Sequence, residues 1–142
     1  LYNMNLGELI VKLHRNISYE IKYVAKLHEI TPSQFLCIIS IPYDGISQTN
    51  LANKLAVDIS TLSRNLDKLY NKNLLKKTID YPDKRITKIF LTKDGNALNL
   101  ELINHLNNNL SYLMNHNLID QSFYDQLSQL NWQLLQNQVN ER

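Results

Sequence analysis

The sequence holds a single cysteine, Cys37, among its 142 residues. That excludes an internal disulfide framework and any zinc site built on several cysteines. Glycine and proline are scarce too, at three each, which excludes collagen, a flexible linker and a glycine-rich phosphate cradle. No apolar run approaches the ~18 residues of a transmembrane helix. No charged-then-apolar leader opens the chain. We therefore expect a cytoplasmic protein that does not engage a membrane. Catalytic patterns are missing as well. There is no nucleophile elbow, no paired-carboxylate motif, no P-loop and no H-E-x-x-H, so neither enzymatic activity nor a cofactor is expected.

What remains is a foldable chain. Apolar residues make up 44% and charged residues 20%, which is the balance of a globular protein rather than a disordered one. A chain near 150 residues buries roughly 70% of its unfolded surface, enough for one domain with helical extensions. The net charge of +2 conceals a strong asymmetry. Residues 1–45 carry four basic and four acidic side chains, residues 46–93 carry ten and four, and residues 94–142 carry one and five. The middle is therefore at +6 and the end at −4. A basic middle suits a polyanionic partner, and the ends suit another task.

Periodicity divides the chain further. Leu6, Leu9, Ile10, Leu13, Ile17, Ile21 and Val24 recur at steps of three or four, one stripe of a long helix. Thr31-Pro32 predicts a second helix start, with Thr31 as N-cap and Phe35, Leu36, Ile38 and Ile39 as its apolar body. Ser47 caps a third helix over 48–55. Asp58 caps a fourth that runs to about Lys72, with Leu62, Leu66 and Leu69 inward. Asn73 ends it, a residue that tolerates the left-handed conformation. The period then drops toward two, and 75–79 and 87–91 read as strands around a turn-rich loop. Thr92 caps a helix striped by Leu98, Leu102, Leu106, Leu110 and Leu113. A last helix over about 120–138 is striped by Phe123, Leu127, Leu130 and Leu134.

Helices 48–55 and 59–72 have the spacing of a helix-turn-helix, whose second helix enters the DNA major groove. With the three leucines inward, Ser60, Arg64, Asp67, Lys68 and Asn71 fall on the outer face, flanked by Thr61 and Ser63. Short hydroxyls let a backbone approach DNA and give donors for phosphates or base edges, and an arginine can pair with a guanine edge. A solvated helix face carries similar residues, but normally with several glutamates. The hairpin adds an independent sign. Lys84 and Arg85 at its turn, with Lys76, Lys77 and Lys88 on its strands, make a basic finger of the kind that enters a minor groove. The fold class is mainly α with a small β-hairpin wing: a winged helix-turn-helix flanked by N- and C-terminal helices.

At this point the sequence resembles the MarR-type winged-helix transcriptional regulators. The resemblance is carried by Leu51-Ala52-Asn53-Lys54-Leu55, by the run from Asp58 to Leu69, by Asp83-Lys84-Arg85, and by Leu91-Thr92-Lys93-Asp94-Gly95. It implies dimerisation by residues 1–30 and 94–142 around a DNA-binding domain at 31–93. It also implies a homodimeric repressor on pseudo-palindromic double-stranded DNA, released by a small-molecule effector or another signal. The DNA-contacting set is expected to be Ser47, Ser60, Thr61, Ser63, Arg64, Lys68, Lys84, Arg85 and Lys88. Tyr19, Tyr23 and Phe35 are candidates for lining an apolar ligand pocket, although aromatic residues at such spacing more often serve a core. Cys37 reads as a buried, inert thiol. His14, His28, His105 and His116 fall in no evident i, i+4 cluster, so no metal site is expected. The alternative function is a protein-interaction module whose basic face is incidental.

Overall fold

The computed structural model describes residues 5–79 and 87–140. Helix α1 spans Leu6–Leu27, α2 Pro32–Ser40, strand β1 Ile46–Ser47, α3 Gln48–Leu55 and α4 Ile59–Asn71. Strands β2, Leu75–Ile79, and β3, Thr87–Leu91, follow, then α5, Lys93–Asn115, and α6, Gln121–Asn140. The chain packs as two compact units that divide after Leu106, within α5.

Polar side chains set the helix starts. Asn5, Thr31, Ser47 and Asp58 each accept a backbone N–H three residues on, which satisfies a donor the helix leaves open. At α2 the arrangement is reciprocal. The Thr31 hydroxyl accepts from the Gln34 N–H at 3.2 Å, and the Gln34 side-chain oxygen accepts from the Thr31 N–H at 3.0 Å.

The helix ends follow from the shortage of glycine. Glu29, Ala56, Asn73 and Asn117 all hold positive φ, between 53° and 57°. Each closes its helix with paired reversed hydrogen bonds. After α4, for example, the Asn73 N–H reaches the Tyr70 carbonyl at 2.9 Å and the Leu74 N–H reaches that of Leu69 at 3.0 Å. Asparagine tolerates this geometry; alanine does so at a cost of about 1–2 kcal/mol.

The core of the first unit gathers Val24 from α1, Phe35, Cys37 and Ile38 from α2, and Leu51 from α3. It continues through Leu62, Leu66 and Leu69 of α4, then Leu75, Ile89 and Leu91 of the sheet and Leu102 of α5. Each such leucine or isoleucine contributes about 1.5–3 kcal/mol on burial. Cys37 is buried on α2, as the sequence reading has it, whereas Leu36, read there as part of the apolar body, is 38% exposed. The sheet has one strand more than the sequence showed. β1 pairs antiparallel with β3 in the order β1-β3-β2, with Ile46 opposite Ile89 and Ser47 opposite Lys88.

One glycine is fixed by space. A Cβ on Gly95 would lie 2.1 Å from the Leu74 carbonyl oxygen. Thr92 binds the same stretch, through its N–H to the Leu74 carbonyl at 3.0 Å and its hydroxyl to the Asn73 carbonyl at 2.8 Å. The Thr92 hydroxyl oxygen also accepts from the Gly95 N–H at 3.0 Å.

The two kinds of position predict opposite effects. Ala56→Gly should stabilise the protein by about 1 kcal/mol, since the left-handed turn then carries no Cβ strain. Gly95→Ala should destabilise it by about 1–3 kcal/mol, because backbone must move to make room. Urea denaturation of both variants, read against the unsubstituted chain, checks the pair.

Candidate nucleic-acid interface

The interface is built on α3 and α4 and on the hinge between them. Ala56 in its left-handed turn ends α3, and Val57 and Asp58 lead into α4. The leucines at 62, 66 and 69 are buried, so Ser60, Arg64, Asp67, Lys68 and Asn71 are exposed on the other side, as their spacing predicts. Thr61 and Ser63 flank that face and are half-buried.

Asp58 does more than cap. One carboxylate oxygen accepts from the Thr61 N–H at 2.8 Å and from the Ser60 hydroxyl, and the other accepts from the Thr61 hydroxyl at 2.7 Å. The Ser60 hydroxyl first, then the Thr61 hydroxyl and N–H, hold the Asp58 carboxyl well below the usual carboxylate range. The helix thus opens on a fixed negative charge, and the hydrogens of both hydroxyls are committed to it. The sequence reading took these hydroxyls as donors; in this structure they offer lone pairs.

Two cations follow on the same face. Arg64 is exposed, with its Nε 3.4 Å from the Ser60 carbonyl, and Lys68 lies one turn further. Off that face, Lys77 of β2 sits 4.8 Å over the Tyr70 ring, a cation–π contact. Burial first, and then the nearby Asp67, push the Tyr70 hydroxyl up to about 12. Ser47 and Lys88 are brought together as cross-strand neighbours. Ser47 is half-buried, and its hydroxyl oxygen accepts from the Asn50 N–H at 3.2 Å. Lys84 and Arg85 lie outside the described residues.

The aromatic trio does not form a shared wall. Phe35 is fully buried in the core, whereas Tyr19 and Tyr23 are 77% and 56% exposed. The cavities of this unit lie elsewhere. One of about 370 Å³ is lined by Pro42, Tyr43, Asp44, Lys76, Phe90 and Asn96. Another, of about 500 Å³, is lined by Lys22, Lys26, Ile30, Pro32, Gln34 and Lys72. Cys37 is 1% exposed and burial pushes its thiol up to about 11, which leaves it a neutral thiol at physiological pH. The histidines need one correction. Glu101 and His105 do stand at i, i+4, and the fold brings His28 against both. Among the described residues, no group of three or more side chains is arranged to hold a metal ion. No described helix is long and apolar enough to cross a membrane.

Two helices joined by a tight turn, preceded by a short strand and followed by two longer ones that complete one antiparallel sheet with it, define a winged helix-turn-helix. Residues 30–87 match the model of the MarR family, which bears out the resemblance read from the sequence. No curated protein sequence matches the chain. Solved structures do. Wild-type MarR from E. coli in its apo form shares 24% identity, with a TM-score of 0.76 over 95% of this chain and 99% of that one. CouR from Rhodococcus jostii RHA1, bound to p-coumaroyl-CoA, has a TM-score of 0.80 at 15% identity, covering 92% and 91%. A mutant of S. aureus MepR bound to an oligodeoxyribonucleotide has a TM-score of 0.63 at 19% identity, covering 95% and 99%.

The cap predicts an acid response of definite sign. The folded carboxyl of Asp58 titrates below its unfolded value near 4. Its stabilising contribution is therefore present above that value and lost as pH falls toward the depressed one. Asp58→Ala should lower Tm near neutral pH, and the difference from the unsubstituted chain should shrink on acidification below about pH 4. Because Asp58 is exposed, added salt should weaken the effect. Thermal melts at several pH values and two salt concentrations test both statements.

Proposed function

We propose that this chain is a sequence-specific DNA-binding transcriptional regulator, acting as a homodimeric repressor that a signal releases from DNA. The observation that carries the reading is the outer face of α4. It has no competing role in the core, it presents Ser60, Arg64 and Lys68 in successive turns, and it lies inside the segment that matches the MarR family. In this reading α4 enters the major groove, where Arg64 reads a guanine edge and Lys68 holds a phosphate. Lys84 and Arg85 of the wing reach the flanking minor groove, and Ser47, Thr61, Ser63 and Lys88 line the approach. The oligonucleotide bound to MepR supports a DNA partner. The p-coumaroyl-CoA bound to CouR supports an effector of small-molecule type. Tyr19 and Tyr23 would serve such a ligand only where a second protomer covers them.

Exposed apolar surface supports the dimer. On α1, Leu6, Leu9, Val11 and Leu13 are each between 49% and 65% exposed. No described residue of α6 is buried, although it carries Phe123, Leu127, Leu130, Trp132, Leu134 and Leu135. A helix with that much apolar surface in water marks an interface, since most helical stability in proteins comes from packing an apolar face. Residues 1–30 and 94–142 would then be the dimerising parts and 31–93 the DNA-binding part.

Selection from a random duplex library should return a two-fold related site with half-sites about 10 bp apart. Affinity for it should fall steeply with salt. Arg64→Ala should cost about 1–3 kcal/mol and relax preference at one base position, whereas Lys68→Ala should weaken all sequences alike and flatten the salt slope by about one. A shallow slope with no enriched site would point instead to a protein-interaction module. Leu127→Asp should shift the dimer to monomer in sedimentation.

A further inference from the structure

The proposed function leaves unused a histidine pair that joins α1 to α5. His28 is the C-cap of α1, and its side chain is only 12% exposed. Its Nε2 lies 2.7 Å from Nδ1 of His105 on α5, across 77 positions of sequence. The rings are tilted by 45°, with centroids 4.8 Å apart. Glu101, one turn before His105, places a carboxylate oxygen 3.6 Å from Nδ1 of His28.

Two ring nitrogens at that separation need one proton between them, with one ring donating and the other accepting on a lone pair. Two neutral rings meet this condition. So does a pair with one positive charge, since a protonated His28 donates to His105 and turns its other N–H toward Glu101. When both rings are protonated, N–H faces N–H and two positive charges meet, so the contact is lost.

We propose that His28 and His105 form a proton-operated latch between the end of α1 and α5. It is closed while the pair carries at most one positive charge and open when both rings are protonated. Imidazole is the side chain that gains charge on mild acidification, so the latch opens in acid. The surroundings suit one charge. Glu101 attracts it, and the carbonyls of Ala25 and Lys26 at the end of α1, which accept the backbone N–H of His28, favour a cation there. Lys26 in the last turn of α1 opposes a second one. The turn that follows contributes Glu29, and α4 contributes Lys72, whose ammonium is bonded to the Glu29 carbonyl at 2.8 Å.

The latch sits where movement would spread. Glu29 turns the chain in the left-handed conformation, Ile30 enters the core, and Thr31 caps α2. Holding His28 on α5 therefore holds the α1–α2 junction. If α1 and α5 belong to a dimer frame that carries the recognition helices, opening the latch weakens DNA binding; this last step rests on the function proposed above, and the latch does not.

A double-mutant cycle tests it. His28→Asn keeps a residue suited to a helix end, and His105 is exposed, so His105→Ala should also fold. Thermal melts in chelator should show a coupling between the two substitutions of about 2–4 °C in Tm at about pH 7.5, lost at about pH 5. Additive effects at the higher pH, or equal coupling at both, would overturn the latch. So would coupling that appears only with added zinc, which would make the pair a metal site. A DNA measurement separates the two claims. On the selected site, the unsubstituted chain should lose about fivefold in affinity over the same pH interval relative to His105→Ala. A coupled pair with no such difference refutes the link to DNA. Absence of DNA binding at any pH refutes the regulator reading, and the cycle still decides the latch.

Discussion

The candidate interface depends on a small knot of hydrogen bonds around Thr92. Helix α4 ends at Asn71, and two residues later the chain must enter the wing. The carbonyls of Asn73 and Leu74 fall at that point, and Thr92 binds both, one with its hydroxyl and one with its N–H. The same hydroxyl oxygen caps α5 by accepting the Gly95 N–H. Gly95 lets α5 approach so closely that any side chain would strike the Leu74 carbonyl. One threonine and one glycine thus fix three things together: where α4 stops, where the wing is rooted, and where α5 begins. Unpaired carbonyls here would cost more than the bonds themselves contribute, because part of this backbone is buried.

A second constraint is compositional. With three glycines in the chain, the left-handed turns that close α1, α3, α4 and α5 fall to glutamate, alanine and asparagine. The helix-turn-helix hinge itself is one of them. The turns after α1 and α4 are held by tertiary packing as well as by their own hydrogen bonds. Leu74, next to Asn73, and Ile30, next to Glu29, are both drawn into the core. Packing that overrides local strain in this way is expected of a marginally stable protein.

What was legible in the sequence was what is local. Thr31, Ser47, Asp58 and Thr92 were read as caps because a cap acts within three residues of itself. The face of α4 was read correctly because three leucines at helical spacing fix the phase of everything between them. Strand β1 was missed, since two residues are too few to show a period of two. On α2 a run of adjacent apolar residues marks Cys37 as buried but does not show that Leu36, within the same run, faces outward. Tyr19, Tyr23 and Phe35 share an apolar character but not a location, and only tertiary structure separates core from surface. The pairing of His28 with His105 joins positions far apart in the chain, and no local pattern marks it. Glu101 and His105 could have been noticed as neighbours on one helix face, yet their partner lies on another helix.

The cap of the recognition helix also gives the proposed DNA-reading surface a direction. Asp58 holds the hydrogens of Ser60 and Thr61, so the start of α4 presents hydrogen-bond acceptors, and the next two turns present the donors of Arg64 and Lys68. Phosphates only accept, so they are complementary to the second region and not to the first. The major-groove groups that can donate are the amino groups of cytosine and adenine, whereas guanine offers two acceptors. A surface polarised in this way is complementary to a base step in which an amino-bearing base lies beside a guanine. Its selectivity would then rest as much on the protons that Asp58 withholds as on the cations that Arg64 and Lys68 supply.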